Sequence, residues 1–127
     1  MVVLYSHASL FICPSVYEPF GIINLEAMAC NTPVVASAVD GIPEVVVHDE
    51  TGLLVDFEDG NNSEPKNPEK FSRDLAVAIN GLLHSPEKLE SMAVKARQRV
   101  EKYFSWESIA RQTLAYYQEV TSTYRRR

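Results

Sequence analysis

The 127-residue chain is 46% hydrophobic and carries 17 acidic against 12 basic side chains, a formal charge of −5. That length suits one domain around a single packed core, and the acidic balance excludes the basic stripe of a nucleic-acid binder. No apolar run reaches the length of a membrane span, and no basic-then-apolar leader opens the chain, so the expectation is a cytoplasmic protein.

Charge is unevenly distributed. Residues 1–65 hold ten acids and no Lys or Arg, whereas residues 66–127 hold every basic side chain. Cys13 and Cys30 have neither CxxC spacing nor a neighbouring His, which predicts free buried thiols and no metal site.

Residues 1–8 (MVVLYSHA) read as the end of a helix and predict further chain upstream. Residues 9–14 (SLFICP) and 33–37 (PVVAS) are short and almost wholly apolar, as strands covered on both faces should be; residues 53–55 are a third candidate. Residues 22–30 have helical spacing, and residues 42–48 read as a short helix entered through Pro43 ahead of the Thr51-Gly52 turn. The expected fold is therefore α/β: a partial Rossmann-like parallel sheet of about three strands flanked by helices. Such a small sheet leaves strand edges unpaired, a second sign of absent strands.

The chain divides into residues 1–56 with the βαβαβ pattern, a polar surface loop over 57–68, helices over 69–124 and a solvated basic tail, 125–127. Asn67 and Ser85, each followed by Pro and Glu, read as helix N-caps, and the last helix opens at Ser105. Three apolar stripes follow: Phe71, Leu75, Ala78, Ile79 and Leu82; Leu89, Met92, Ala93, Ala96 and Val100; and Trp106, Ile109, Ala110, Leu114, Tyr117 and Val120. Helical stripes of this kind are expected in a core.

Residues 15–29 (SVYEPFGIINLEAMA) lie between the carboxyl end of the first strand and a helix, where open α/β sheets bind ligands. Gly21 permits close backbone approach, and the amides of Gly21, Ile22, Ile23 and Asn24 are the unpaired donors of a helix start, suited to phosphate. Glu18 precedes that helix and Glu26 sits one turn inside it. Two carboxylates beside a diphosphate repel it unless they accept hydroxyl hydrogen bonds, a condition a nucleotide sugar meets. On spacing alone, a turn acid and a solvated helix acid account for the pair equally well.

The sequence PSVYEPFGIINLEAMAC, followed by TPVVAS, GIPEVV and TGLLV, resembles the family 4 retaining glycosyltransferases, glycogen and starch synthases above all. The similarity is dense over residues 4–55 and looser through the helical half, where it includes Phe104-Ser105-Trp106. It implies a GT-B architecture of two Rossmann-like domains facing across a cleft, with this chain as the C-terminal part. It also implies transfer of a hexose, glucose above all, from ADP-glucose or UDP-glucose to an α-glucan or related acceptor, without metal or cofactor. By that resemblance Glu18 is the catalytic position, contacting the donor sugar by positioning and electrostatics. The amides of Phe20, Gly21 and Ile22 would hold the sugar, those of Asn24 and Leu25 a phosphate, and Glu26 the ribose diol.

Two positions depart from the family pattern. Asn31 stands where glycine is usual after the helix, a tolerable exchange because Asn adopts left-handed conformations. Asp40 replaces the first of two glycines before Ile42-Pro43-Glu44, where a charged side chain could narrow the cleft or oppose an anion. Glu44 is a motif position that reads equally well as a first-turn acid facing the helix dipole. His7, His48 and His84 are expected at the surface or at caps.

The family's phosphate-neutralising cations and its acceptor-binding domain have no counterpart here, so the chain alone is expected to be inactive. Its partners would be a nucleotide-sugar donor, a glucan or other sugar acceptor through the absent domain, and a second copy of itself by self-association. A nucleotide-sugar epimerase or phosphorylase on a similar scaffold, or a non-catalytic nucleotide-sugar-binding remnant, are the competing readings.

Overall fold

In a computed structural model of the chain the described residues are 1–60 and 64–124; the expected basic tail, 125–127, and the middle of the 57–68 loop lie outside them. The elements run α1 (Val2–His7), β1 (Phe11–Cys13), α2 (Ile22–Ala29), β2 (Val34–Ser37), α3 (Ile42–Val45), β3 (Gly52–Val55), α4 (Pro68–Leu83), α5 (Pro86–Arg99), a π-helical turn (Val100–Phe104) and α6 (Trp106–Tyr124). Three parallel strands in the order β1-β2-β3 form the sheet, with Ile12 opposite Val35 and Val35 opposite Leu53.

The middle strand explains the layers. All four residues of β2 are buried, and successive side chains of a strand point to opposite faces. Val34 and Ala36 enter a core with Ala27, Met28, Ile42, Val45, Val46 and Ala96. Val35 enters a second core with Val55, Leu82 and Met92, closed by the Phe71, Leu75, Ala78 and Ile79 stripe of α4. Helix α5 contributes to both, through Ala96 and Met92 respectively.

The helix expected over residues 42–48 stops at Val45. Three consecutive valines follow Glu44, and β-branched side chains favour extended backbone; Val46 adopts it, at φ −96° and ψ 123°. The chain then turns as the Val47 amide donates to Thr51 Oγ1 at 2.9 Å. Asn67 caps α4 as expected, its side chain accepting the Lys70 amide at 2.9 Å. The Ser85 side chain makes no such bond, and only its carbonyl serves α5, accepting the Leu89 amide. Ser105 opens α6 with its hydroxyl 3.2 Å from the Ser108 amide.

The stripe of α6 lies outside both cores. Its helical period is correct, but the stripe is left bare: Trp106 is 90% exposed, and Ile109, Leu114, Tyr117 and Val120 are exposed as well. A helical period creates an apolar face, whereas burial needs another element to cover it, and α6 packs mainly on the adjoining π-helical turn.

The α4 packing can be tested by neighbouring residues. Leu82 is 1% exposed in the second core and Leu83 beside it is 48% exposed. Chemical denaturation should show Leu82→Ala losing about 3 kcal/mol and Leu83→Ala less than about 1 kcal/mol. Equal losses would mean α4 packs by another face.

Candidate functional site

The loop after β1 is anchored from β2. Ser37 Oγ, at the carboxyl end of β2, donates to the Ser15 carbonyl, with the Cys13 carbonyl 3.5 Å away. Residues 14–21 then lead into α2, and Gly21 makes the entry at φ 92°, a left-handed conformation open to glycine. An added Cβ there would meet Asn24 Nδ2 at 2.8 Å. The Asn24 carboxamide is fully buried beneath this turn, and neither Nδ2 nor Oδ1 has a partner among the described residues.

The amides at this helix start are not equivalent. Gly21 donates to the Glu18 carboxylate at 3.1 Å. Asn24 and Leu25 donate to the Gly21 carbonyl at 2.9 and 3.4 Å. The amides of Phe20, Ile22 and Ile23 find no acceptor among the described residues. The spacing expectation of four free donors at Gly21, Ile22, Ile23 and Asn24 is thus corrected to two among the described residues, because the Glu18 carboxylate and the Gly21 carbonyl accept the Gly21 and Asn24 amides. Helix ends leave such groups to side chains, water or ligands.

Glu26 lies on an exposed part of α2 and accepts a hydrogen bond from the Tyr5 hydroxyl at 3.3 Å. Tyr5 is the one buried residue of α1, packed edge-to-face on Phe11. Nothing in the sequence singled it out, since its partner is 21 positions away. Phe20 meets Phe104 of the π-helical turn with ring centroids 6.1 Å apart. The Arg99 guanidinium lies over the Phe104 ring and donates to the carbonyls of Val45 and Glu44, each at 2.8 Å. Glu44 itself is exposed.

Asn31, at φ 59°, is left-handed as expected of a glycine replacement. Asp40, at φ 44°, is left-handed too, and its carboxylate accepts the Glu18 amide at 3.0 Å. The three histidines serve local ends: His7 and His84 contact the carbonyls four residues earlier, and His48 accepts the Leu54 amide. Cys13 is buried, Cys30 partly buried, and both are free. Among the described residues no cluster of His, Cys, Asp and Glu could hold a metal ion, and no helix is long and apolar enough to cross a membrane.

The sequence pattern of Glycosyl transferases group 1 matches residues 1–99. The chain belongs to that family. It is 49% identical over 119 residues to the alpha-maltose-1-phosphate synthase of Mycolicibacterium smegmatis, covering 94% of this chain and 29% of that protein. With a glycogen synthase of Mycobacterium tuberculosis it shares 32% identity, covering 92% of this chain and 25% of the relative. Among solved structures, sucrose-phosphate synthase from Thermosynechococcus elongatus superposes with a TM-score of 0.75 at 40% identity, over 95% of this chain and 27% of that one. Anabaena HepE in complex with UDP and glucose superposes with a TM-score of 0.73 at 28% identity, over 91% and 29%. The group 1 segment described here thus spans less than a third of the length of these relatives. Its parallel sheet with a helical C-terminal part is the architecture that the GT-B resemblance implied.

Burial raises the Tyr5 phenol above its ordinary value of 10.0, and the negative charge of Glu26 and its hydrogen bond act in the same direction. A folded-state value above the unfolded one means that the stability gained from the neutral phenol is complete below pH 10 and is lost as pH rises through the raised value. Melting temperatures across alkaline pH should therefore fall more steeply for the native chain than for Tyr5→Phe. Parallel curves would show that Tyr5 is not held as the structure indicates.

Proposed function

We propose that this chain forms the donor-binding part of a retaining glycosyltransferase, moving glucose or a related hexose from a nucleoside-diphosphate sugar to a carbohydrate acceptor. One observation carries the proposal: the start of α2, with Ile22 and Ile23 amides free among the described residues, has the Glu18 carboxylate hydrogen-bonded directly onto the Gly21 amide. An anion is favoured at such a terminus by the free donors and the helix dipole, while the acids beside it call for a ligand that also brings hydroxyls. HepE, a superposing relative, has been solved with UDP-glucose and with UDP and glucose, which favours that class of donor; ADP-glucose meets the same chemistry.

Each group then has a task. The amides of Phe20, Gly21 and Ile22 face the sugar, and those of Asn24 and Leu25 a phosphate. These last two already share the Gly21 carbonyl, so a phosphate oxygen must compete with that bond. Glu26 accepts from the ribose diol, with Tyr5 fixing one of its oxygens. Glu18 is the catalytic residue of the proposal. A carboxylate has about four acceptor sites, so it can accept a sugar hydroxyl beside the Gly21 amide, which a sugar oxygen then shares with it. It orients the ring and stabilises positive charge developing as the bond to the leaving diphosphate breaks. Residues 1–56 carry this donor motif, the loop over 57–68 follows, and residues 69–124 brace it. The relatives' names include a glycogen synthase and two synthases of sugar phosphates, which favours acceptor choice outside the shared segment.

The two acids separate kinetically in the complete enzyme. Glu26 would touch a part of the donor unchanged in the reaction, so Glu26→Ala should raise donor KM with little change in kcat. Glu18→Ala should lower kcat by about a hundredfold with a smaller effect on donor affinity. Steady-state kinetics with labelled donor give both values, and equal losses of kcat would remove the assignment. The 127-residue chain alone should incorporate no labelled glucose into glycogen.

The bare stripe of α6 and the unpaired outer edges of β1 and β3 favour self-association of the isolated chain. Sedimentation should show mass rising with concentration, and Trp106→Lys with Tyr117→Lys should reduce it. A monomer at all concentrations would count against this surface.

A further inference from the structure

We propose that Asp40 is a positioning residue for Glu18, holding its backbone so that its carboxylate faces the donor site; this rests on the donor-site reading above. Three observations lead to it. The first is conformational. Asp40 sits at φ 44°, a left-handed conformation open to glycine and unfavourable for most L side chains. Asp is one of the few L residues that tolerate it, and its short side chain can offset the cost through a hydrogen bond.

That contact is the second observation. Asp40 Oδ2 accepts the Glu18 amide at 3.0 Å, and the next residue, Gly41, donates its own amide to the Glu18 carbonyl at 3.2 Å. Glu18 is therefore gripped at both backbone polar groups by consecutive residues 22 and 23 positions away. A single hydrogen bond leaves a peptide free to swivel; two, one on each side of the α-carbon, fix both flanking peptide planes. The direction of the Cα–Cβ bond follows, and from it the Glu18 carboxylate reaches the Gly21 amide at 3.1 Å.

The third observation is that the two loops touch backbone to backbone. A Cβ on Gly41 would fall 2.3 Å from the Pro19 carbonyl oxygen and 2.6 Å from Phe20 Cα. No side chain fits between them, so Asp40 is delivered to Glu18 by a contact that cannot loosen without separating the loops. Ser37 ties the same two segments lower down, through the Ser15 carbonyl. The Asp40 carboxylate thus takes the part of a backbone acceptor and completes a two-point clamp.

Three chains of the complete enzyme test this: native, Asp40→Gly and Asp40→Asn. Glycine relieves the backbone and removes the acceptor, while asparagine keeps an oxygen acceptor and tolerates the left-handed conformation. Asp40→Gly should lower kcat by about tenfold, the equivalent of one lost hydrogen bond, with donor KM changed less than about twofold and melting temperature not reduced. Asp40→Asn should restore kcat to within about threefold of native. Amide hydrogen exchange on the 127-residue chain reads the clamp without catalysis: protection of the Glu18 amide should fall about tenfold in Asp40→Gly and persist in Asp40→Asn. Native kcat and native Glu18 protection in Asp40→Gly would overturn the proposal, as would an Asp40→Asn variant no better than Asp40→Gly. If the native enzyme transfers no hexose, the donor reading fails by itself, and amide exchange still decides whether Asp40 holds Glu18.

Discussion

Val34 and Val35 are adjacent in the chain and lie in different cores. That is the constraint on which the rest depends: a strand buried on both faces cannot slip by one residue without sending each side chain into the wrong core. A shift of one residue would put Ala36 where Val35 packs or Pro33 where Val34 packs, and volume mismatches of that kind in a packed core cost about 1–3 kcal/mol each. With β2 fixed, its parallel pairing aligns Cys13 with Ala36. The loops leaving β1 and β2 then start side by side at the carboxyl edge of the sheet. There Ser37 reaches Ser15, Gly41 reaches Glu18, and Glu18 turns onto the Gly21 amide that caps α2.

The electrostatics at that edge are lopsided. A helix start attracts anions, yet residues 1–65 contain ten acids and no Lys or Arg. Part of the positive end of α2 is already taken by Glu18, whose carboxylate satisfies the Gly21 amide. A phosphate arriving there meets favourable amides and unfavourable carboxylates within the same few ångströms. For the proposed donor, the balance suits a ligand in which negative and hydroxyl-bearing parts alternate.

The helical half is more than a cover. Arg99 donates to the last carbonyls of α3, and Arg97 to the Ala29 carbonyl at the end of α2. Both helices are short, eight and four residues, and helices of that length are marginal in isolation. A planar guanidinium with several fixed donors suits such unpaired carbonyls. The π-helical turn that follows sets Phe104 against both Arg99 and Phe20, so one stretch of α5 and its extension braces the ends of both short helices and the loop that leads into α2.

Much of this was legible in residue order. Apolar runs bounded by Pro and Gly marked all three strands, but the expected cover on both faces holds in full only for β2, since Ile12 of the edge strand β1 is exposed. Gly21 between a strand and an apolar helical period marked the turn, and Asn67 before Pro68 marked a cap. These are local matters, decided by backbone sterics and by side chains within a turn of one another. What lay beyond the sequence was every contact between distant segments: Tyr5 with Glu26, Asp40 with Glu18, Phe104 with Phe20. The third stripe shows the same division, since helical spacing determined that α6 has an apolar face, and only the packing decided that this face stays bare. Periodicity is a property of one segment, whereas burial and orientation belong to pairs of segments, and which segments meet is settled when the strands take their register.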